Sequence, residues 1–431
     1  MSEERSGALD AAIALGTRVL SAGLVFGLQV LLARLMPTDG YGGFVTLWTW
    51  MLALGSFAAL GFAESSVRFL PRYQLRNRQA ALRNYWQFGL RLVLGGSSTL
   101  ALIAIGLALG IGAADGAVLL VALGLPFLAI EYYLEGVARS FGWYRLAAVP
   151  VYIVRPALIG LVCLGIDAGG VSLTLPVVGA VLVGSMALVT IGLALVLARR
   201  LHRLAPAKSV PSRGQKRLWL RASLPLLVLS GLEDLTSYAD VLMLTLLAPS
   251  DAVGIYFAAA RSLALAGFVA YAMTLVAGRR FALDLAGKSK VALQESVLQS
   301  TRLTLWATVI AVVLALAAGP LLLGAFGPEF RDGYGVMLVL GGGMVVRAMA
   351  GQAGEALIVL GRQREGVLIG LGVLAVTTAL ALLLVPMFGI LGAAVASAAA
   401  MACRTLALAF VLLQREQLRV LAFGLPLLAR G

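Results

Sequence analysis

Residues 172–221 read SLTLPVVGAVLVGSMALVTIGLALVLA and then RRLHRLAPAKSVPSRGQKRLWLR: 27 residues without a charge, followed by a segment holding eight arginines and lysines. A helix needs ~20 mostly apolar residues to cross the hydrocarbon core of a bilayer, so the first part reads as a membrane span. A basic run directly after a span belongs on the cytoplasmic side. The same alternation continues outward to both ends of the chain. Apolar spans fall at roughly 11–35, 44–69, 88–112, 117–138, 146–166, 172–198, 222–247, 253–279, 297–324, 334–360, 366–385 and 389–413. The sequence therefore predicts an all-α integral membrane protein of twelve transmembrane helices.

The connecting loops sort into two sets. One set (MPTDGYG, GAADG, GIDAGG, APSDAVG, FGPEFRDGYG and VPMFG) contains a single basic residue, Arg331. The other (PRYQLRNRQAALRN, RSFGWYR, residues 199–221, GRRFALDLAGKSK and GRQREG) is rich in Arg and Lys. The positive-inside rule makes the second set cytoplasmic, and an even span count then puts both termini inside. No cleavable signal peptide is expected, because the first apolar run is long, carries Arg18 and ends without a small-residue cleavage site.

Composition narrows the function. The chain of 431 residues is 61% hydrophobic and 13% charged, with a formal net charge of +14. Its basic residues sit between apolar spans, so anionic membrane lipid is their natural partner and nucleic acid is not. Cys163 and Cys403 both lie within spans and imply no disulfide framework. The one histidine, His202, is expected in a loop without a second metal ligand, so no metal site is expected.

The chain also repeats itself. Pro37-Thr38-Asp39-Gly40-Tyr41-Gly42 after the first span matches Pro249-Ser250-Asp251-Ala252-Val253-Gly254 after the seventh, and Arg68-Phe69 matches Arg280-Phe281 at the same offset. Both pairs occupy equivalent topological points. Two six-helix lobes of like orientation follow, with a binding site expected between them. The predicted organisation is an N-terminal lobe over 1–198, a basic cytoplasmic linker over 199–221, a C-terminal lobe over 222–413 and a cytoplasmic tail over 414–431.

The stretches GLQVLLARLMPTDGYGGFVTLW (27–48), LGFAESSVRFLPRY (60–73) and MFGILGAAVASAAAMACR (387–404) resemble the polysaccharide transporter family of the MATE-like flippase superfamily. The resemblance implies a bacterial inner-membrane flippase, monomeric, that moves an oligosaccharide on a polyprenyl diphosphate to the periplasmic leaflet. Its associates would be the polymerase and glycosyltransferases of an O-antigen, exopolysaccharide or cell-wall pathway. The alternative within the same fold is a multidrug exporter coupled to H⁺ or Na⁺.

Arginines inside spans bear on this choice. A charge at the bilayer centre costs at least ~2.5–3.5 kcal/mol, so it faces a partner or a wet cavity. Arg34, Arg68, Arg91 and Arg302 lie near span ends, where snorkelling suffices. Arg18, Arg155, Arg261, Arg347 and Arg404 lie deeper and are the expected cavity cations, with Arg18 and Arg347 as the diphosphate ligands. Guanidinium suits that role because it stays protonated and grips phosphate oxygens in pairs. Gln29 continues the face of Arg18, and Ser237 shares a helical face with Glu233 and Asp240, so both are expected to line the cavity. The alternative for each arginine is a structural ion pair. Glu64, Glu131, Glu135, Glu233, Asp234, Asp240 and Glu355 are available for that, while Glu233, Asp240, Glu355 and Glu64 are also candidates to bind a coupling H⁺ or Na⁺.

Enzymatic readings lack support. Residues 282–289, ALDLAGKS, approach a phosphate-binding loop but lack its first glycine and follow a membrane span instead of a strand. A membrane-embedded glycosyltransferase would need acidic groups at the membrane surface, and no cofactor is implied. Reporter fusions at residues 1 and 431 are expected to lie in the cytoplasm; a periplasmic signal from either end overturns the predicted topology.

Overall fold

The computed structural model describes residues 20–110, 112, 116–205, 210–287 and 290–422. All regular structure among them is helical. In hydrocarbon a backbone N–H or C=O finds no water, so a spanning segment must close its hydrogen bonds within itself, and the helix does so.

The chain divides into two compact units, Met1–Asp234 and Leu235–Gly431. In the first, helix α1 covers Leu20–Leu35, α2 Thr38–Ala58, α3 Phe62–Leu75, α4 Gln79–Gly110 and α5 Gly116–Ser140. Then come α6 over Tyr144–Ala168, α7 over Leu175–Leu204 and α8 over Arg213–Leu247, within which the unit boundary falls. The second unit adds α9 Ser250–Ala264, α10 Gly267–Ala286, α11 Lys290–Ala317, α12 Gly319–Phe326, α13 Tyr334–Ala348 and α14 Ala353–Val359. A final helical stretch runs over Gln363–Glu416.

That last stretch would be ~81 Å long if straight, more than twice the hydrocarbon thickness. It is not straight. Gly389 has φ 57° and ψ −133°, a conformation reserved for glycine. A Cβ on Gly392 would lie 2.2 Å from the Leu384 carbonyl oxygen, whereas eight residues of unbroken helix separate atoms by ~12 Å. The chain therefore folds back at Gly389 and forms two helices, α15 (363–388) and α16 (390–416). Among the described residues six helices, the Gln363–Glu416 stretch counted once, are long and apolar enough to cross a membrane, and up to eight if each bent pair is one span.

Two such pairs are bent at breaks: α2–α3 by 42°, and the segment Glu329–Ala348 with α14 by 41°. Both breaks carry a glycine at positive φ that touches another helix. Gly61 (φ 67°) sits so close to α8 that a Cβ would be 2.3 Å from the Ser223 carbonyl, and Gly351 (φ 52°) would place one 2.5 Å from Thr301 Cα on α11. Lipid is as apolar as leucine, so helices associate through close packing instead of water exclusion, and small residues make the approach possible. Gly136 of α5, whose Cβ would meet the Ala63 carbonyl at 2.3 Å, does the same for α3.

The core of the first unit is aromatic. Phe62, Tyr85, Tyr133 and Trp219 are fully buried, and Tyr85 meets Trp219 edge-on at 5.4 Å. Their polar atoms are satisfied: Trp219 Nε1–H donates to Tyr73 OH at 2.8 Å, Tyr133 OH to the Trp86 carbonyl at 3.0 Å, and Ser65 Oγ lies 2.6 Å from Tyr85 OH and 2.8 Å from Ser223 Oγ. Trp219 belongs to the basic segment 199–221, whose two ends are helical, as the last turns of α7 and the first turns of α8. His202 accordingly lies on α7 and not in the expected loop. Basic side chains favour the negative end of the helix dipole, so the helix runs on past the apolar span.

Substituting Gly61→Ala is expected to destabilise the protein by on the order of 3 kcal/mol, from backbone strain plus overpacking. Gly95→Ala, with nothing within 4 Å of the added carbon, should be neutral or stabilising by up to ~1 kcal/mol. Thermal unfolding of the two purified variants in detergent checks the contrast.

Candidate functional site

Arg18 lies outside the described residues. Gln29 is buried on α1, where its side-chain oxygen accepts a hydrogen bond from Tyr41 OH of α2 at 3.1 Å. Arg155 is buried as well. It follows a π-helical turn over Pro150–Val154, a widening of α6 set by Pro150 and Pro156. Its Nη1 donates to Glu131 Oε1 on α5, and its guanidinium stacks over Trp48 of α2 at 5.3 Å. Three helices of the first unit thus meet at one buried ion pair.

An acidic group lies elsewhere in the same unit. Glu64, in the first turn of α3, acts electrostatically on Asp234 of α8, as does Glu233. Glu233 and Ser237 are exposed on α8.

In the second unit Asp240 gathers three helices. Its Oδ2 accepts from the buried Tyr256 OH of α9 at 2.6 Å and from Ser397 Oγ of α16 at 3.0 Å. Arg261, half-buried, lies over the Phe257 ring one turn away on α9 at 4.7 Å. Glu355 of α14 is half-buried, and its Oε2 would be 3.5 Å from a Cβ on Gly278, which marks where α10 runs beside it.

Arg347 and Arg404 form a like-charged pair. They stand on α13 and α16, within electrostatic range of one another. Both residues are exposed. Among the described residues neither arginine has a carboxylate within ion-pair distance. Two guanidiniums in electrostatic range repel and between them carry ten N–H donors in planar forks, a chemistry suited to phosphate oxygens. No described group of three or more His, Cys, Asp or Glu side chains fits a metal ion.

Sequence spacing could not reveal three of these features: the Trp48 face under Arg155, the two hydroxyls on Asp240, and the proximity of Arg347 to Arg404. Each joins residues on different helices. Only Tyr256 and Ser397, polar residues inside apolar spans, carried a visible signal.

The model of a family described as polysaccharide biosynthesis proteins matches residues 10–277. This chain belongs to that family. Among solved structures it is similar in fold to a multidrug resistance MATE family transporter of the MOP superfamily in an inward-facing conformation, at 13% identity over 90% of this chain and 92% of that one, with a TM-score of 0.71. It is also similar to the lipid II flippase MurJ in an inward closed conformation, at 13% identity over 93% and 87% of the two chains, TM-score 0.69. A MOP superfamily transporter from Pyrococcus furiosus, described by a binding pocket of reversed polarity, aligns at 16% identity over 91% of each chain with a TM-score of 0.58. No curated protein matches the sequence significantly. The fold is that of the MATE and MurJ transporters, and the protein is a multi-pass membrane protein.

Because Arg155 and Glu131 are buried together, Glu131→Ala is expected to cost ~3–5 kcal/mol by stranding the guanidinium. The double variant Glu131→Leu/Arg155→Leu should recover most of that loss. Detergent unfolding curves of the single and double variants test this, and surface-polysaccharide export in the double variant shows whether Arg155 also serves the cargo.

Proposed function

We propose that this protein flips a lipid-linked oligosaccharide, carried on a polyprenyl diphosphate, across the bacterial inner membrane. It works as a secondary transporter with both termini cytoplasmic, twelve spans and a cation-lined path. Membership of the polysaccharide biosynthesis family supports the cargo class. The observation that carries the reading is the Arg347–Arg404 pair, because a like-charged pair without an acid is costly unless an anion visits it. The diphosphate would pass along these guanidiniums, the sugars would occupy the wet lumen, and the prenyl chain would stay in lipid. Asp240, held by Tyr256 and Ser397, would seat the coupling H⁺ or Na⁺.

A second reading, a MATE-type drug exporter, draws on the fold likeness and on the carboxylates Glu64, Glu233 and Asp234. Cationic cargo would use those acids and would not need the arginine pair.

Arg347→Ala and Arg404→Ala are each expected to reduce surface-polysaccharide export at least ~100-fold, the loss of one charge-assisted phosphate grip of ~2–3 kcal/mol, while the protein remains in the membrane at normal level. Lysine at either position should restore part of the activity through charge alone. Normal export from both alanine variants, with drug efflux lost on replacing Asp234, would instead establish the exporter.

A further inference from the structure

A cleft of about 450 Å³ opens between the first turns of α4 and the last turns of α7, lined by Arg83, Trp86 and Gln87 on one side and by Leu195, Arg199, His202 and Arg203 on the other. None of the described residues lining it is acidic. Its floor is fixed, since Trp86 is buried and stacks on Tyr133 at 5.7 Å. The Arg83 guanidinium, which can only donate, lies 3.4 Å from His202 Nδ1 and so bridges the two walls. Arg200, the remaining basic residue of this turn, is turned to the Trp143 ring at 5.1 Å, which leaves Arg199 and Arg203, one turn apart and both exposed, as the cationic rim.

The helix face leading to that rim is apolar and open. Leu188, Ile191 and Leu195, at 63%, 53% and 54% exposure, precede Arg199 and Arg203 at three- and four-residue steps, which puts all five on one stripe. An exposed apolar track that ends in paired arginines matches a molecule with a hydrocarbon chain and an anionic head. We propose that the cleft binds an anionic phospholipid of the bilayer, with its phosphate between Arg199 and Arg203 and an acyl chain along Leu195, Ile191 and Leu188. Guanidinium forks suit a phosphate, and the stacked Trp86 floor supplies a rigid wall beneath the headgroup. The residues of this site belong to the first unit and Arg347 and Arg404 to the second, so the proposal does not depend on what the transported cargo is.

The test uses the full-length protein and native mass spectrometry of lipid adducts in mixed micelles of phosphatidylglycerol and phosphatidylcholine. Wild type should retain phosphatidylglycerol preferentially. Arg199→Ala/Arg203→Ala should lower that retention at least ~10-fold, and Arg199→Lys/Arg203→Lys by less. Arg213→Ala/Arg217→Ala removes equal charge away from the cleft and should change retention little. Leu195→Ala, at an exposed position where the smaller apolar side chain keeps the span helical and uncharged, should weaken retention with the arginines in place. The proposal falls if the two double-alanine variants lose phosphatidylglycerol equally, if phosphatidylcholine is retained as well as phosphatidylglycerol, or if the cleft retains added farnesyl diphosphate while ignoring phosphatidylglycerol.

Discussion

A membrane interior withholds water from every polar group, and the structure follows from that constraint. Backbone groups must pair inside a helix, and side-chain charges must find a partner or a wet surface. The hydrophobic effect, having already placed the helices in lipid, offers little to hold them together. What remains is contact at short range. The glycines at 61, 136 and 351 let one helix lie against the backbone of another at distances that no larger residue allows. Buried hydroxyls and aromatic N–H and O–H groups then add directed bonds, as Ser65, Tyr85, Ser223, Trp219 and Tyr73 do in one connected set.

The same constraint separates two kinds of arginine. Arg155 is fully compensated: a carboxylate on one helix, an aromatic face on another, and little exposed surface. An ion pair so enclosed serves to hold α2, α5 and α6 in register, and a passing diphosphate would have to displace Glu131 to use it. Arg347 and Arg404 have the opposite character, since neither has a carboxylate within ion-pair distance among the described residues and their surfaces are open. Charge without compensation is what a binding site for an anion requires, because the ligand supplies the missing partner. The sequence treats these arginines alike, as single basic residues in apolar runs. Their difference arises from which helices pack side by side.

Much of the fold was legible in the chain nonetheless. Hydropathy over 20 residues is a local property, so the apolar runs and the loop charges can be read without any tertiary knowledge. The helix ends were less legible: α7 continues to Leu204 and α8 begins at Arg213, because arginine and lysine are good helix formers once outside the hydrocarbon. Nor did hydropathy show that α2–α3 bends at Leu60 and Gly61, whose positive φ values interrupt a run read as one span. The candidate site was legible only as a list of residue types. Asp240 was visible as an acid in a span, but its hydroxyl partners lie 16 and 157 residues away.

Breaks in the helices create a second obligation, since they free backbone groups that lipid cannot satisfy. The break after α13 shows how the chain meets it. Ala348 closes a turn with Gly351 N–H, and the Met349 carbonyl accepts from Ala422 N–H at 3.0 Å. That donor comes from an extended C-terminal segment in which Leu418, Val420 and Ala422 are buried. Gln294 of α11 fastens the segment through both backbone groups of Arg419, at 2.6 and 2.8 Å. At the turn preceding α16's partner helix, Arg362 holds Glu416 and Glu365, and Glu365 is kept below the usual carboxylate range by a backbone hydrogen bond and by Arg362. The described residues 416, 419 and 422 are thus tied to the turn at Arg362, to α11 and to the break at Met349. A segment bonded in this way acts as a clip across the bend, and any change in the bend angle at Gly351 has to break or carry those bonds with it.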